Sequence, residues 1–69
     1  MKAWTSTEIR VTFKLDGKET FNQYLLFDTK DADALATGIR YFEGDHKDDG
    51  AEIIKVEITE KHTYTDEED

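Results

Sequence analysis

Residues 8–15 alternate strictly between polar and apolar side chains, with apolar residues at positions 9, 11, 13 and 15. A period of two is typical of a β-strand with one buried side and one solvated side. The dipeptide Asp16-Gly17 that follows is typical of a tight hairpin turn, and residues 19–27 form a second run rich in Phe, Tyr and Leu. The chain is therefore constrained to begin as a β-hairpin.

The register of this hairpin decides which side chains enter the core. With a two-residue loop, Phe21 would lie on the outer side of the hairpin. A three-residue loop, or a bulge at the turn glycine, would instead bring Phe21 to the side of the first strand's apolar residues. We favour this second register, which leaves Tyr24 and Leu26 on the opposite side.

Residues 28–43 change to helical spacing, with apolar side chains at positions 32, 35, 36, 39 and 42. Asp28 or Thr29 would serve as the N-cap. Gly38 inside the helix costs about 1 kcal/mol relative to Ala, which indicates a close approach to a strand. The pattern predicts an amphipathic helix to about position 42 or 43, with Gly44 as its terminator.

From position 52 the period returns to two, and this predicts a third strand to about Tyr64 after a polar loop at 44–51. The order β-β-α-β predicts a single α+β domain over 1–64, with a three-stranded sheet and one helix packed on one face. Strand one is expected in the middle, antiparallel to strand three, and 65–69 is expected to be an acidic disordered tail. The expected core consists of Ile9, Val11, Phe13, Phe21, Leu25, Phe27, Leu35, Ala36, Ile39, Phe42, Ile54, Val56 and Ile58.

One helix covers one face of a sheet, so the other face should expose apolar side chains. Trp4, Tyr24, Leu26 and Ile53 are the candidates for this uncovered face. Exposed apolar patches and unpaired edge strands are typical of interaction surfaces. One interpretation of the chain is thus a structural domain that forms a homodimer through Trp4, Tyr24 and Leu26, or through an edge strand.

Charge supports a second interpretation. Residues 28–69 carry five Lys/Arg against fourteen Asp/Glu, and the whole chain has a net charge of −8. This balance disfavours direct binding to nucleic acid or to anionic membranes. Acidic residues on the helix, at its ends and in the next loop are expected to form one anionic flank for a partner with a basic surface: Asp31, Asp33, Glu43, Asp45, Asp48, Asp49 and Glu52.

Such a flank can imitate the phosphates of nucleic acid and steer association with a basic groove. In composition, though in no sequence motif, the chain resembles the small acidic phage and mobile-element proteins that block nucleic-acid-binding enzymes. We therefore predict a non-catalytic inhibitor or adaptor that acts as a DNA mimic on a target protein. That the acidity only confers solubility stays open as an alternative.

Catalytic and metal-binding interpretations find little support in the residues. The chain has no Cys and two His, and neither His lies in a nucleophile, zinc or phosphate-binding motif. Residues 45–50 imitate the start of a calcium loop, but Lys47 takes a ligand position and Val56 replaces the bidentate Glu. We expect no enzyme activity, no metal and no cofactor.

Two further expectations concern the histidines and the location of the chain. We expect His46 to be a solvated loop residue. We expect His62 to lie on the side of Ile58 at the end of the sheet, in contact with solvent. No run of 18 apolar residues is present, and cytoplasm is the favoured compartment.

Overall fold

The computed structural model describes residues 2–66 and confirms the predicted β-β-α-β order. Strand β1 spans Lys2–Leu15, β2 spans Lys18–Phe27, helix α1 spans Asp31–Asp45 and β3 spans Glu52–Asp66. The sheet order is β2-β1-β3, and both outer strands are antiparallel to β1. The α+β class, the central first strand and the direction of the third strand are therefore confirmed. Strand β3 passes the expected boundary at 64 by two residues, and positions 67–69 of the expected tail lie outside the described residues.

The molecule is long and thin, because β1 and β3 pair over almost their whole length. A strand of 15 residues is about 50 Å long, which accounts for overall dimensions of 54 × 17 × 17 Å. The radius of gyration is 14.6 Å, against about 11 Å for a compact domain of this length. Helix α1, at about 22 Å, covers less than half of one face of the sheet. Within the described range, no helix has the length and apolar character to cross a membrane.

The hairpin has the two-residue loop, so the register favoured from the sequence is wrong. Leu15 pairs directly with Lys18, and the two turn residues Asp16 and Gly17 have φ values of 52° and 77°. Positive φ at both central positions defines a type I′ turn, whose twist matches that of the flanking strands. Good turn geometry therefore decides the register, and it turns every side chain of β2 to the face opposite to the expected one.

The core follows from this register. We call the sheet face under α1 the covered face and the other the open face. Tyr24 and Leu26 lie on the covered face, since they pair with Ile9 and Thr7, and not on the open face as expected. The buried apolar residues are Ile9, Val11, Phe13, Leu26, Ala34 and Phe42. Five residues of the expected core are instead exposed: Phe21, Leu25, Phe27, Ala36 and Ile54.

The helix approaches β1 through a narrow stripe of three buried residues. Ala34, Gly38 and Phe42 are its buried residues, spaced four apart, whereas Leu35 and Ile39 are half-buried at the side. A Cβ atom on Gly38 would lie 2.7 Å from Cγ2 of Ile9, which confirms the close approach predicted from this glycine.

Both helix ends differ from the expected caps. Lys30 is the N-cap and makes no capping bond through its side chain. Asp28 instead fastens the end of β2 to β1, because its carboxylate accepts the N–H of Thr5 at 2.9 Å and its own N–H donates to the Thr5 carbonyl at 2.9 Å. Gly44 lies inside the helix, which ends at Asp45 with His46 as C-cap.

Strand β3 carries two extra residues relative to β1. Ile58 pairs with Ile9 while Glu60 pairs with Glu8, so Thr59 is unpaired in the ladder. A similar shift occurs at Ile54. After each bulge, the residues that face the helix change from even-numbered to odd-numbered positions or the reverse. The residues beyond Thr59 therefore lie on the opposite face from the one that simple alternation predicts.

Candidate binding site on the open face of the sheet

A groove of about 380 Å³ lies on the open face near the end of the sheet. On β1 it is lined by Trp4, Ser6 and Glu8. These are every second residue of the strand, so they lie on the same face. Because Ser6 is much smaller than the residues on either side of it, the surface dips at this position. The rest of the lining comes from the two neighbouring strands: Leu25 and Phe27 of β2, and Glu60, His62 and Tyr64 of β3.

Strand register places these side chains around Ser6. Ser6 pairs with Phe27 on one side and with His62 on the other. Trp4 pairs with Tyr64, and Glu8 pairs with Glu60. The groove thus has an aromatic end, a carboxylate end and a small hydroxyl residue between them.

The aromatic end is formed by Trp4 and Tyr64, whose rings stack with centroids 5.4 Å apart and an interplanar angle of 18°. The ring of His62 lies 5.9 Å from that of Tyr64, and its Nε2 is 2.9 Å from Oε1 of Glu60. His62 therefore connects the aromatic end to the carboxylate end. It is exposed, as expected, but it lies on the open face and not on the side of Ile58, because of the bulge at Thr59.

Two carboxyl groups meet at the other end of the groove. A hydrogen bond with Glu60 raises the pKa of Glu8, and desolvation and the negative charge of Glu60 act in the same direction. The same hydrogen bond holds the pKa of Glu60 below its usual value, with a further hydrogen bond from His62. The two groups titrate as a pair that holds a proton more tightly than separate glutamates would.

Ser6 forms the floor of the groove and is 4% exposed. Its hydroxyl makes no hydrogen bond to any of residues 2–66. The hydroxyl lines the groove and can take a hydrogen bond from a bound molecule or from water. Among the described residues, Arg10 Nε is the one buried side-chain polar atom that lacks a partner. Farther along the same face, the guanidinium of Arg10 lies over the ring of Phe21, 4.3 Å from its centroid.

The acidic residues predicted to form one flank fall into two groups at opposite ends of α1. Asp31 and Asp33 lie in its first turn, about 20 Å from the helix end, at 1.5 Å per residue. Asp31 is paired with Lys61 at 2.9 Å. We call the second group the acidic corner: Glu43, Asp45, Asp48, Asp49 and Glu52.

Two members of the acidic corner are engaged within the chain. Asp45 accepts a hydrogen bond from the Tyr24 hydroxyl at 2.8 Å, and Asp49 accepts one from Nδ1 of His46 at 2.7 Å. This second bond holds the pKa of Asp49 below its usual value. Burial raises the pKa of the Tyr24 phenol, and the bond to Asp45 acts in the same direction. The corner is anionic, but part of it has a structural role.

His46 is a packing residue and not the solvated loop residue that the sequence predicted. Its ring lies 4.4 Å from that of Phe13 and 4.6 Å from that of Phe42. Nε2 accepts a hydrogen bond from the Asn22 amide at 2.8 Å, while Nδ1 donates to Asp49. The ring thereby joins β2, the helix end and the loop.

The groove could not be found from the sequence by alternation alone. Three of its residues follow the bulge at Thr59, and two come from a strand whose register was assigned wrongly. Of the predicted interface residues, only Trp4 lies there. Over residues 2–66, no group of three or more His, Asp or Glu side chains is placed to share a metal ion. No family model, curated protein or solved structure matches the chain.

Proposed function

We propose that this protein is a small acidic binding module whose open face docks on another protein with a basic surface, without catalysis or cofactor. The observation that carries the proposal is the row of large apolar side chains left uncovered on that face. Phe21, Leu25, Phe27 and Tyr64 are 48%, 55%, 57% and 41% exposed. An inhibitor or adaptor on a nucleic-acid-handling protein is the form of this function that the charge favours.

The size of the patch supports an interface. If a large side chain presents about 200 Å², these exposed fractions amount to about 400 Å². The largest patch on a typical monomer measures roughly 300–600 Å² and is often functional. Covering 400 Å² contributes about 10 kcal/mol at 25 cal/mol per Å², whereas association itself costs roughly 4–15 kcal/mol. Apolar contact alone therefore gives a weak complex, and charge complementarity has to strengthen it.

Charge favours a partner with a basic surface. A chain with a net charge of −8 repels phosphates and attracts basic proteins, and the attraction accelerates encounter at low salt. The acidic corner lies at the opposite end of the molecule from the groove, so its role is to steer a partner from a distance. The cytoplasm remains the proposed compartment.

A second candidate function is self-association through the same patch. An isologous dimer would cover the apolar side chains of both copies. It would also bring together two chains that each carry a net charge of −8, and this repulsion opposes it. Sedimentation at micromolar concentration separates the two functions: a dimer that persists at low salt and is dissociated by Leu25→Asp supports self-association.

The binding function is tested with purified partner protein. Proteins retained by the immobilised chain from host lysate are identified, purified and measured for affinity at several salt concentrations. We expect Leu25→Asp to abolish binding. Tyr41→Asp is the matched control, because Tyr41 is 49% exposed on the helix and away from the open face. Equal losses in the two variants, or an affinity that salt does not change, would contradict the proposal.

A further inference from the structure

We propose that the groove on the open face is a receptor for one arginine side chain of the protein partner, with the guanidinium held between Glu8 and Glu60 and the apolar stem lying over Ser6 toward the Trp4–Tyr64 end. This inference rests on the proposed function, since it names the group that the open face recognises. It adds a site and a ligand chemistry that the apolar patch alone does not imply.

The carboxylate end requires a cation with several donors. Glu8 and Glu60 lie directly opposite each other on adjacent strands, so their oxygens present acceptors side by side. A guanidinium has five N–H donors in a rigid plane and can bond two carboxylates at once. A phosphate or another anion would be repelled by the same pair.

The aromatic end suits the apolar stem of the same arginine. The rings of Trp4 and Tyr64 are nearly parallel and partly exposed, and the stem of an arginine covers such apolar surface while its charged head reaches a polar group. The chain's own Arg10 also lies against an aromatic ring of this face, that of Phe21. A lysine has a similar stem, but its ammonium lacks the planar set of donors that two carboxylates can share.

Ser6 supplies the independent indication that the groove is built for a ligand. Its side chain is more than nine-tenths buried, it lies in the floor between the two ends, and its hydroxyl has no partner among residues 2–66. A donor entering from above would give this oxygen the hydrogen bond that the chain itself does not provide.

At a pH near or below the raised pKa of Glu8, binding should release a proton from the carboxyl pair. The charged and titratable groups that act on Glu8 are Glu60 and His62 from β3 and Arg10 from its own strand, while its β2 partner is the apolar Leu25. A bound guanidinium replaces the hydrogen bond with Glu60 and offsets the repulsion from it, both of which raise the pKa of Glu8. Affinity should therefore increase as the pH rises through the raised pKa of Glu8 and level off above it.

The test uses a blocked hexa-arginine peptide as probe and a blocked hexa-lysine peptide of equal charge as comparison. Trp4 is the sole tryptophan of the chain, so its fluorescence reports directly from the groove. Glu60→Gln is compared with Asp33→Asn, which removes the same charge from an exposed site on the helix. Since a hydrogen bond to a charged group is worth about 1.5–3 kcal/mol, Glu60→Gln should weaken hexa-arginine binding about tenfold or more, and Asp33→Asn less than twofold.

We expect hexa-arginine to bind more tightly than hexa-lysine and to quench the fluorescence of Trp4. Absence of hexa-arginine binding, equal effects of the two variants, or equal affinity for the two peptides would overturn the groove as an arginine receptor. The proposed function would survive that result if a purified partner still required Leu25. If instead the peptide depends on Glu60 and no partner depends on Leu25, the proposed function fails and the groove stands.

Discussion

Replacing Gly38 with Ala tests the close approach of α1 to Ile9. Gly38 lies in the buried stripe of α1, and a Cβ there would lie 2.7 Å from Cγ2 of Ile9 and 3.3 Å from its Cβ. Ordinary carbon contacts are about 3.5–4.0 Å, so helix and strand would have to separate by about 1 Å. Ile9 cannot move aside easily, because it is branched at Cβ and fully buried.

The magnitude follows from two opposing effects. Replacing Gly by Ala inside a helix stabilises it by about 1 kcal/mol, whereas overpacking a core costs roughly 1–3 kcal/mol. We expect Gly38→Ala to lower the free energy of unfolding by about 1 kcal/mol. Gly44→Ala is the matched control in the same helix, since nothing lies within 4 Å of its Cβ position, and it should raise the free energy of unfolding by about 0.5–1 kcal/mol.

Urea unfolding followed by circular dichroism measures both variants. The difference in free energy of unfolding between the two variants measures the cost of overpacking, because both replace Gly by Ala in α1 and gain nearly the same helix propensity. We expect a difference of about 1–3 kcal/mol, or several degrees in Tm for a domain of this size. If both substitutions stabilise the protein equally, α1 does not pack on Ile9 as described.

Three further predictions test the register and the links between elements. Leu26→Ala should cost about 2–3 kcal/mol of stability, and Leu25→Ala less than about 0.5 kcal/mol. The reverse order in urea unfolding would support the register favoured from the sequence and contradict the two-residue loop of the structure. Tyr24→Phe should cost about 0.5–1.5 kcal/mol, because it removes the hydroxyl that bridges β2 to the helix end, and an unchanged unfolding midpoint would rule out that bridge. The hydrogen bond from His46 is the main cause that lowers the pKa of Asp49. The charged Asp49 therefore stabilises the fold at pH values above the pKa of an unfolded Asp, about 4. This stabilisation is lost as the pH falls through the lower pKa that Asp49 has in the folded protein. Asp49→Asn should therefore lose less stability than the parent chain between pH 5 and pH 2.5, and equal losses would show that the bond does not stabilise the fold.

The element order and the sheet arrangement could be predicted because local patterns determine them. Alternation in residues 8–15, helical spacing after position 30 and a short hairpin turn leave few ways to arrange three strands and one helix. The close contact at Gly38 could also be predicted, because a glycine inside a helix is unfavourable and indicates that a larger side chain would not fit there. These signals depend on neighbours in sequence and require no knowledge of distant contacts.

The faces of β2 and of the end of β3 could not be predicted, because they depend on single-residue shifts. Phe21 seemed to belong in the core on hydrophobicity, but the turn geometry places it outside under the guanidinium of Arg10. The extra residue at Thr59 has no recognisable signature in the sequence. Each of these two shifts moves the side chains of its strand segment to the other face of the sheet, and the groove contains residues from both segments.

Thr59 is extra in the ladder, and this has a consequence for how the chain tolerates changes in length. Removing one residue from a strand normally inverts every side chain that follows it. Here the removal of Thr59 would leave Ile58 opposite Ile9 and Glu60 opposite Glu8, so the groove and the core would both keep their partners. A diverged sequence can therefore lack one residue at that point. An alignment that forbids gaps within strands would then mismatch all the residues that follow Ile58.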